Sequence, residues 1–288
     1  MHCLSVIMGR QVNSMYENFF EMKNTPFVRN IPVNQLYTSA GIEDAIGRLK
    51  YTVDTQRFSI VMAEPGCGKS TLMRMFVETL PREKYLPLYL SDSKLTPRWL
   101  YSGLLDQMGI EGKINRGESK RILQRELEAV KNTKGQQVVC ILDEAHLLGK
   151  ETLEEFRFLL NSQFDSESPL ALILVGQMEL WDQKLRLKTY TAIRQRVYMR
   201  IVLQSLEQSE VHAYMASHLA YAGCKNELFT SDAEEEIYKI SGGIPRQIND
   251  ICEKSLLYAY QQQKRLIDGH MVRFVADNET LQVDDIVA

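Results

Sequence analysis

The chain has 288 residues, 44% of them hydrophobic and 25% charged, enough for a buried core in one large domain or two ordinary ones. Its 34 basic and 37 acidic side chains leave a net charge of −3, which excludes a global basic signature and confines any nucleic-acid contact to a local patch. No stretch approaches the roughly 20 apolar residues of a membrane span, and the five cysteines lie far apart without metal-type spacing. These features predict a cytoplasmic chain with reduced thiols and no membrane contact.

In chain order, Cys3–Met8 is too short for a signal core and only His2 precedes it, so the first 14 residues read as disordered, with Met8 and Met15 as alternative starts. Ile42, Ala45, Ile46, Leu49 and Val53 recur at helical spacing. The β-type run Phe58–Met62 then opens directly into Ala63-Glu64-Pro65-Gly66-Cys67-Gly68-Lys69-Ser70-Thr71, and a helical pattern follows from Leu72. Strand, glycine-rich turn, Lys-Ser and helix make a phosphate-binding loop. Glycines let several N–H groups point at one anion, and the new helix adds the positive end of its dipole. Lys69 is placed on the β- and γ-phosphates of ATP and Ser70 on Mg²⁺. Ala63 stands where the pattern normally begins with Gly, but Gly66 and Gly68 keep the mechanism. Cys67 reads as a small residue that fits the loop.

Tyr85–Leu90 predicts an edge strand because Pro87 cannot donate to a ladder. Thr96-Pro97 starts a helix carrying Trp99, Leu100, Leu104, Leu105 and Met108 and ending at Gly109. Lys113–Ser119 reads as a polar loop, and Ile122, Leu123, Leu127 and Val130 mark the next helix. Val138–Leu142 is a continuous apolar run, as in a strand buried on both faces, and ends in Asp143-Glu144-Ala145-His146. Two carboxylates there are costly to desolvate without a purpose. Asp143 suits Mg²⁺ through its water shell, and Glu144 suits orientation and deprotonation of the attacking water. A helix through Leu153, Phe156 and Leu160 follows, then a buried strand Leu170–Val175 ending at Gly176-Gln177, and a last strand over Val197–Leu203.

From about residue 205 the pattern is helical only. Val211, Tyr214, Met215, Leu219 and Ala222 form one stripe closed by Gly223. Thr230 or Ser231 can cap the next helix, with Ser231 and Glu234 spaced as a capping box; that helix ends at Gly242-Gly243. Pro245 starts another, with Ile248, Ile251, Cys252, Leu256 and Ala259 inward, and Asp268 caps a final helix with Val272 and Val275. The fold class is therefore α/β, a P-loop NTPase with a parallel sheet flanked by helices, followed by a small all-α domain. The core spans 37–203, the helical part 204–276, and an acidic tail 277–288.

This order of parts resembles an AAA+ ATPase with a helical lid. Asn24-Thr25-Pro26-Phe27, Ile141–Leu148, Leu174-Val175-Gly176-Gln177, Ile193-Arg194-Gln195-Arg196-Val197 and Ser241–Asn249 resemble more specifically the ExeA (general secretion pathway protein A) family. Its relatives include the DNA-transposition regulators TnsC, TniB, MuB and IstB. The resemblance implies that Gln177 senses the γ-phosphate, that Arg194 or Arg196 is an arginine finger for a neighbouring subunit, and that Arg246 is a lid arginine reaching the phosphates. It also implies that residues 1–36 contribute to the nucleotide pocket, with Phe27 either near adenine or simply in a core. His146 shares the helicase box Asp-Glu-Ala-His, but a helicase needs a second RecA-like domain and a Ser-Ala-Thr motif absent here, so it reads as a turn residue.

The resemblance implies one of two functions. The first is an ATP-switched regulator of a DDE-type transposase that self-associates into a ring or filament on double-stranded DNA without strong sequence preference. The second is an ExeA-like secretion-pathway ATPase; that type carries a transmembrane segment and a cell-wall-binding region, and their omission here favours the first. A helicase loader is a third, weaker alternative. The DNA contact is expected on a basic stretch of Lys94, Arg98, Lys113, Arg116, Lys120, Arg121 and Arg125, although Glu118, Glu126 and Glu128 dilute it into what a solvated helix face also looks like.

Overall fold

Five apolar runs become the five strands of one parallel sheet: β1 (Phe58–Met62), β2 (Tyr85–Ser91), β3 (Gln137–Asp143), β4 (Leu170–Gly176) and β5 (Val197–Val202), in the order β2-β3-β4-β1-β5. The computed structural model describes residues 16–92, 95–160 and 168–279. The expectations for the first 14 residues, for Lys94 and for the tail from residue 280 lie outside these. Every residue of β1 and β4 is buried, as the unbroken apolar runs require when helices cover both faces. β2 stands at one edge, where Pro87 leaves no ladder donor missing. Spatially, β4 lies between β1 and β3.

The chain divides into two compact units. One is residues 40–204, and the other joins the residues before 40 to those from 205. In the first unit, α1 (Ala40–Asp54), α2 (Lys69–Glu78), α3 (Pro97–Gln107), α4 (Arg116–Lys134) and α5 (Lys150–Leu159) surround the sheet. Tyr101, Leu104, Leu105, Leu123, Phe156 and the inward residues of β3 and β4 share one core. Thr96 caps α3, its hydroxyl accepting from Trp99 N–H at 3.4 Å. The predicted loop over Lys113–Ser119 is shorter than expected. Asn115 caps α4, its side chain accepting from Gly117 N–H at 2.8 Å, so the helix already runs from Arg116. Trp99, in the predicted apolar stripe of α3, is instead 56% exposed.

The second unit contains α7 (Gln208–Ala222), α8 (Ser231–Ser241), α9 (Pro245–Gln261) and α10 (Gly269–Glu279); α6 (Thr191–Arg194) is a single turn of the first. Tyr16, Phe20, Met22 and Phe27 pack into the same core as Met215, Ile237, Ile251 and Leu256, so the N-terminal segment shares its interior with these helices. Ser231 does not form the expected capping box. Thr230 holds the cap position of α8 without a side-chain cap bond, and Glu234 turns to His212 Nδ1 at 2.9 Å. The box-type contact occurs on α7, where Glu210 accepts from Glu207 N–H at 3.0 Å. Asp268 caps α10 as expected, accepting from Met271 N–H at 2.9 Å.

Candidate nucleotide site

Parallel strands bring all their carboxyl ends to one edge of the sheet, and such edges are where open α/β sheets bind ligands. The loop after β1 is built there. Gly66 and Gly68 take φ of 90° and 88°, a conformation that side chains resist. The first bond within α2 runs from Leu72 N–H to Gly68 O at 2.8 Å, so the N–H groups of Gly68, Lys69, Ser70 and Thr71 have no helical carbonyl to receive them. This is a cradle for an anion. Lys69 Nζ bends back over it, donating to Ala63 O at 2.8 Å and Glu64 O at 3.1 Å. Burial lowers the Lys69 pKa below its ordinary value, while Glu144, Cys67, Asp143 and Glu64 push it back up. Pro65 and Glu64 form the exposed crest of the loop, and Cys67 is buried within it, its thiol pushed up by burial.

Gly176 joins this loop to the acidic pair. Its carbonyl accepts from Ala63 N–H at 3.3 Å, and a Cβ on it would lie 3.1 Å from His146 N, so only glycine lets the two segments approach freely. At the end of β3, Asp143 is nearly buried. Its Oδ1 accepts from Glu144 N–H at 2.8 Å and its Oδ2 from the Tyr89 hydroxyl at 2.7 Å. Burial, then the bond to Asp143, pushes the Tyr89 pKa up to about 12, so Tyr89 stays a donor. Glu144 has φ of 53°, a left-handed backbone, and its half-exposed carboxylate lies 3.6 Å from His146 Nδ1. Gln177 follows directly on β4, and its N–H donates to His146 Nδ1 at 3.4 Å.

The site thus brings together the loop, Asp143, Glu144 and Gln177 around one strand edge. The oxygen donors of Ser70, exposed at the start of α2, and of Asp143 are the hard type that suits Mg²⁺. Both Asp143 oxygens already accept a bond, which fits a contact made through water. Arg194 and Arg196 lie half-buried at the end of α6; Arg194 Nη1 donates to Arg186 O at 2.6 Å and Leu185 O at 3.3 Å. Arg246 is exposed in the first turn of α9. Phe27 is buried in the helical unit and stacks on His218 with ring centroids 5.1 Å apart.

The basic stretch is only partly available. Arg98, Lys113, Arg121 and Arg125 are exposed, but Arg116 Nη1 lies 3.3 Å and Lys120 Nζ 3.4 Å from the carboxylate of Glu155, which is almost buried. Sequence reading missed Glu155, Tyr89 and the placement of His146. The parallel register that sets Ser91 beside Asp143 brings β2 to this site.

Residues 52–183 match a family model described as an AAA domain. The chain has the AAA-type P-loop fold. It is 32% identical to general secretion pathway protein A of Aeromonas hydrophila over 85% of its own length, covering 45% of that protein. It is 25% identical to ATP-dependent target DNA activator B of Escherichia phage Mu, over 69% of this chain and 58% of that one. The chain therefore spans about half the length of these curated relatives. The kinship that the motifs implied, with general secretion pathway protein A and more distantly with the phage Mu protein, is borne out. Among solved structures, Cdc6p of Pyrobaculum aerophilum matches with a TM-score of 0.66 at 16% identity, covering 84% of this chain and 67% of that one; at this identity it shows the fold. No helix among the described residues is long and apolar enough to cross a membrane.

Proposed function

We propose that this AAA-type ATPase is an ATP-switched protein that assembles head to tail on double-stranded DNA and regulates a DDE-type transposase in the cytoplasm. In this reading Lys69 and the free N–H groups of α2 bind the phosphates, while Ser70 and Asp143 hold Mg²⁺, which neutralises charge developing on the phosphate oxygens. Glu144 accepts the proton of the attacking water, and Gln177 contacts the γ-phosphate. Arg194 or Arg196 serves a neighbour's site. Arg246 and Phe27 are assigned to the nucleotide by the resemblance alone.

The observation that carries the ATPase chemistry is the Gly176 junction, which ties the anion cradle to the strand end bearing Glu144. The DNA half draws support from the relative named as a target DNA activator and from two cations of the basic stretch that lie over exposed aromatic rings. Arg98 lies over the Trp99 ring at 5.4 Å, and Lys120 over the half-exposed Phe158 ring at 4.2 Å. With no base-reading motif, binding is phosphate-driven and salt-sensitive. Co-sedimentation with double-stranded DNA tests this: association with an ATP analogue at low salt, lost at moderate salt and weakened by joint Arg98→Ala, Lys113→Ala and Arg121→Ala. Those three spare the Glu155 pairs. The higher identity to general secretion pathway protein A favours a second reading, a secretion-pathway ATPase. Absence of any ATP-dependent DNA association at low salt selects it.

A further inference from the structure

The roles given to Glu144 and Gln177 leave His146 unused, although its ring stands between them. The His146 side chain is 10% exposed. Its Nδ1 accepts from Gln177 N–H at 3.4 Å, so by the hydrogen-bond pattern the ring proton is on Nε2. The same Nδ1 lies 3.6 Å from Glu144 Oε2. In that tautomer both atoms are acceptors, and no bond joins them. One nitrogen therefore faces two groups and can serve one at a time. The turn holding it is confined: Gly176, immediately before Gln177, touches His146 backbone where a Cβ would crowd it, and the left-handed Glu144 directs its carboxylate toward the ring. The other charged groups around this turn are Asp143 on β3, Lys69 of the phosphate loop, and Lys184, whose Nζ donates to Leu148 O at 2.8 Å.

We propose that His146 is a positioning residue that couples Gln177 to Glu144, resting on the roles assigned to those two residues above. While Nδ1 accepts from the Gln177 amide, the ring fixes the strand end presenting Gln177 and leaves the Glu144 carboxylate without a donor from it, as a general base requires. When the Gln177 amide withdraws, the ring proton exchanges from Nε2 to Nδ1 through water, with no net protonation. Nδ1–H then donates to Glu144, occupying the lone pair that would take the water's proton. A movement of Gln177 is thereby converted into the presence or absence of a donor on the Glu144 carboxylate, two strands away from the phosphate loop's own strand.

The test is steady-state ATPase kinetics with equilibrium ATP binding on the full chain. His146→Leu keeps the volume but has no polar atom, and it is expected to lower kcat on the order of tenfold with ATP affinity held within about twofold. His146→Asn restores an acceptor near the Nδ1 position and recovers most of kcat. In a Gln177→Ala background, His146→Leu has no further effect, because the side chain that the ring presents is gone. Wild-type kcat in His146→Leu overturns the proposal. So do additive effects in the Gln177→Ala background, or equal losses in Leu and Asn variants accompanied by weaker ATP binding and a lower melting temperature, which assign the ring to packing. Glu144→Gln separates the levels: if it turns over normally, the reading of the site itself fails, whereas a silent Glu144→Gln beside an active His146→Leu overturns the coupling alone.

Discussion

Lys69 is preset for an anion by two backbone carbonyls, and burial already makes its charge costly to keep without a partner. Lys69→Ala removes the only ammonium of the loop and should abolish tight ATP binding, measured by equilibrium titration. Glu144→Gln keeps the shape and the Asp143 contact through its N–H, so ATP binds while phosphate release stops. Tyr89→Phe is a finer probe. It removes one donor from a nearly buried carboxylate, a loss of about 1–3 kcal/mol where the group is not rehydrated. Tyr89 is itself partly exposed, so the lower end is expected, read as a reduced urea midpoint together with a raised Mg²⁺ requirement for turnover. An unchanged Mg²⁺ requirement would show that Tyr89 does not orient Asp143. These residues differ in how far the sequence exposed them. The loop and the Asp143-Glu144 pair are contiguous and so readable as motifs. Tyr89 and His146 acquire their partners only through sheet register and a close glycine, 54 and 31 residues away.

At the scale of elements, Glu155 on α5 receives the Tyr101 hydroxyl of α3 and both Arg116 and Lys120 of α4. Three helices therefore meet at one carboxylate, and two of the cations counted toward a DNA surface are already paired. Charge runs in a sequence cannot reveal this, since the neutralising acid sits 35 and 39 residues away from its partners. Glu155→Gln should lower stability by about 1–3 kcal/mol, with the exposure of Arg116 keeping the loss from the buried-pair extreme. It also frees two cations, so DNA association at low salt should strengthen; weakening would remove this face from the DNA interface. Of the two cap residues the sequence offers for α8, Thr230 takes the position, and the box from Ser231 does not form because Glu234 turns to His212. In the helical unit, His218 of α7 is buried against Phe27 and Tyr214, its Nδ1 lacks a hydrogen-bond partner among the described residues, and burial lowers its pKa to about 4. The unfolded chain binds that proton more readily, near pH 6.5. Stability from this group is thus complete above pH 6.5 and falls toward pH 4, with a slope of at most about 1.4 kcal/mol per pH unit. Urea melts at pH 7 and pH 5 should differ accordingly, and His218→Phe should flatten the difference.

For the whole molecule, strand-helix alternation followed by helices alone made the two-part architecture legible, because periodicity reports burial directly. The pairing of residues 16–39 with the distant helical region was not legible, since a short segment whose apolar residues are irregularly spaced shows no period; its partners are set by tertiary packing around Tyr16, Phe20 and Phe27. The same limit applies to contacts between copies of the chain, where the resemblance assigns an arginine finger and one protomer carries two candidates. Arg194 already spends Nη1 on the carbonyls of Arg186 and Leu185, and a guanidinium carries further donors besides those on that nitrogen. If a finger acts on a neighbour's ATP, its removal costs on the order of 10³ in rate without touching the same protomer's ATP binding. Arg194→Ala and Arg196→Ala, each mixed with Lys69→Ala, then separate the candidates. The Lys69→Ala protomer binds no ATP but still offers an intact arginine, so hydrolysis should return in mixtures at a fraction set by mixed interfaces, and only for the variant lacking the true finger. A repeating head-to-tail contact of this kind builds a ring or a helix, so the recovered rate should rise with total protein concentration. Full-rate hydrolysis by a dilute, strictly monomeric sample would instead place every catalytic group within one chain and remove both arginines from the trans role.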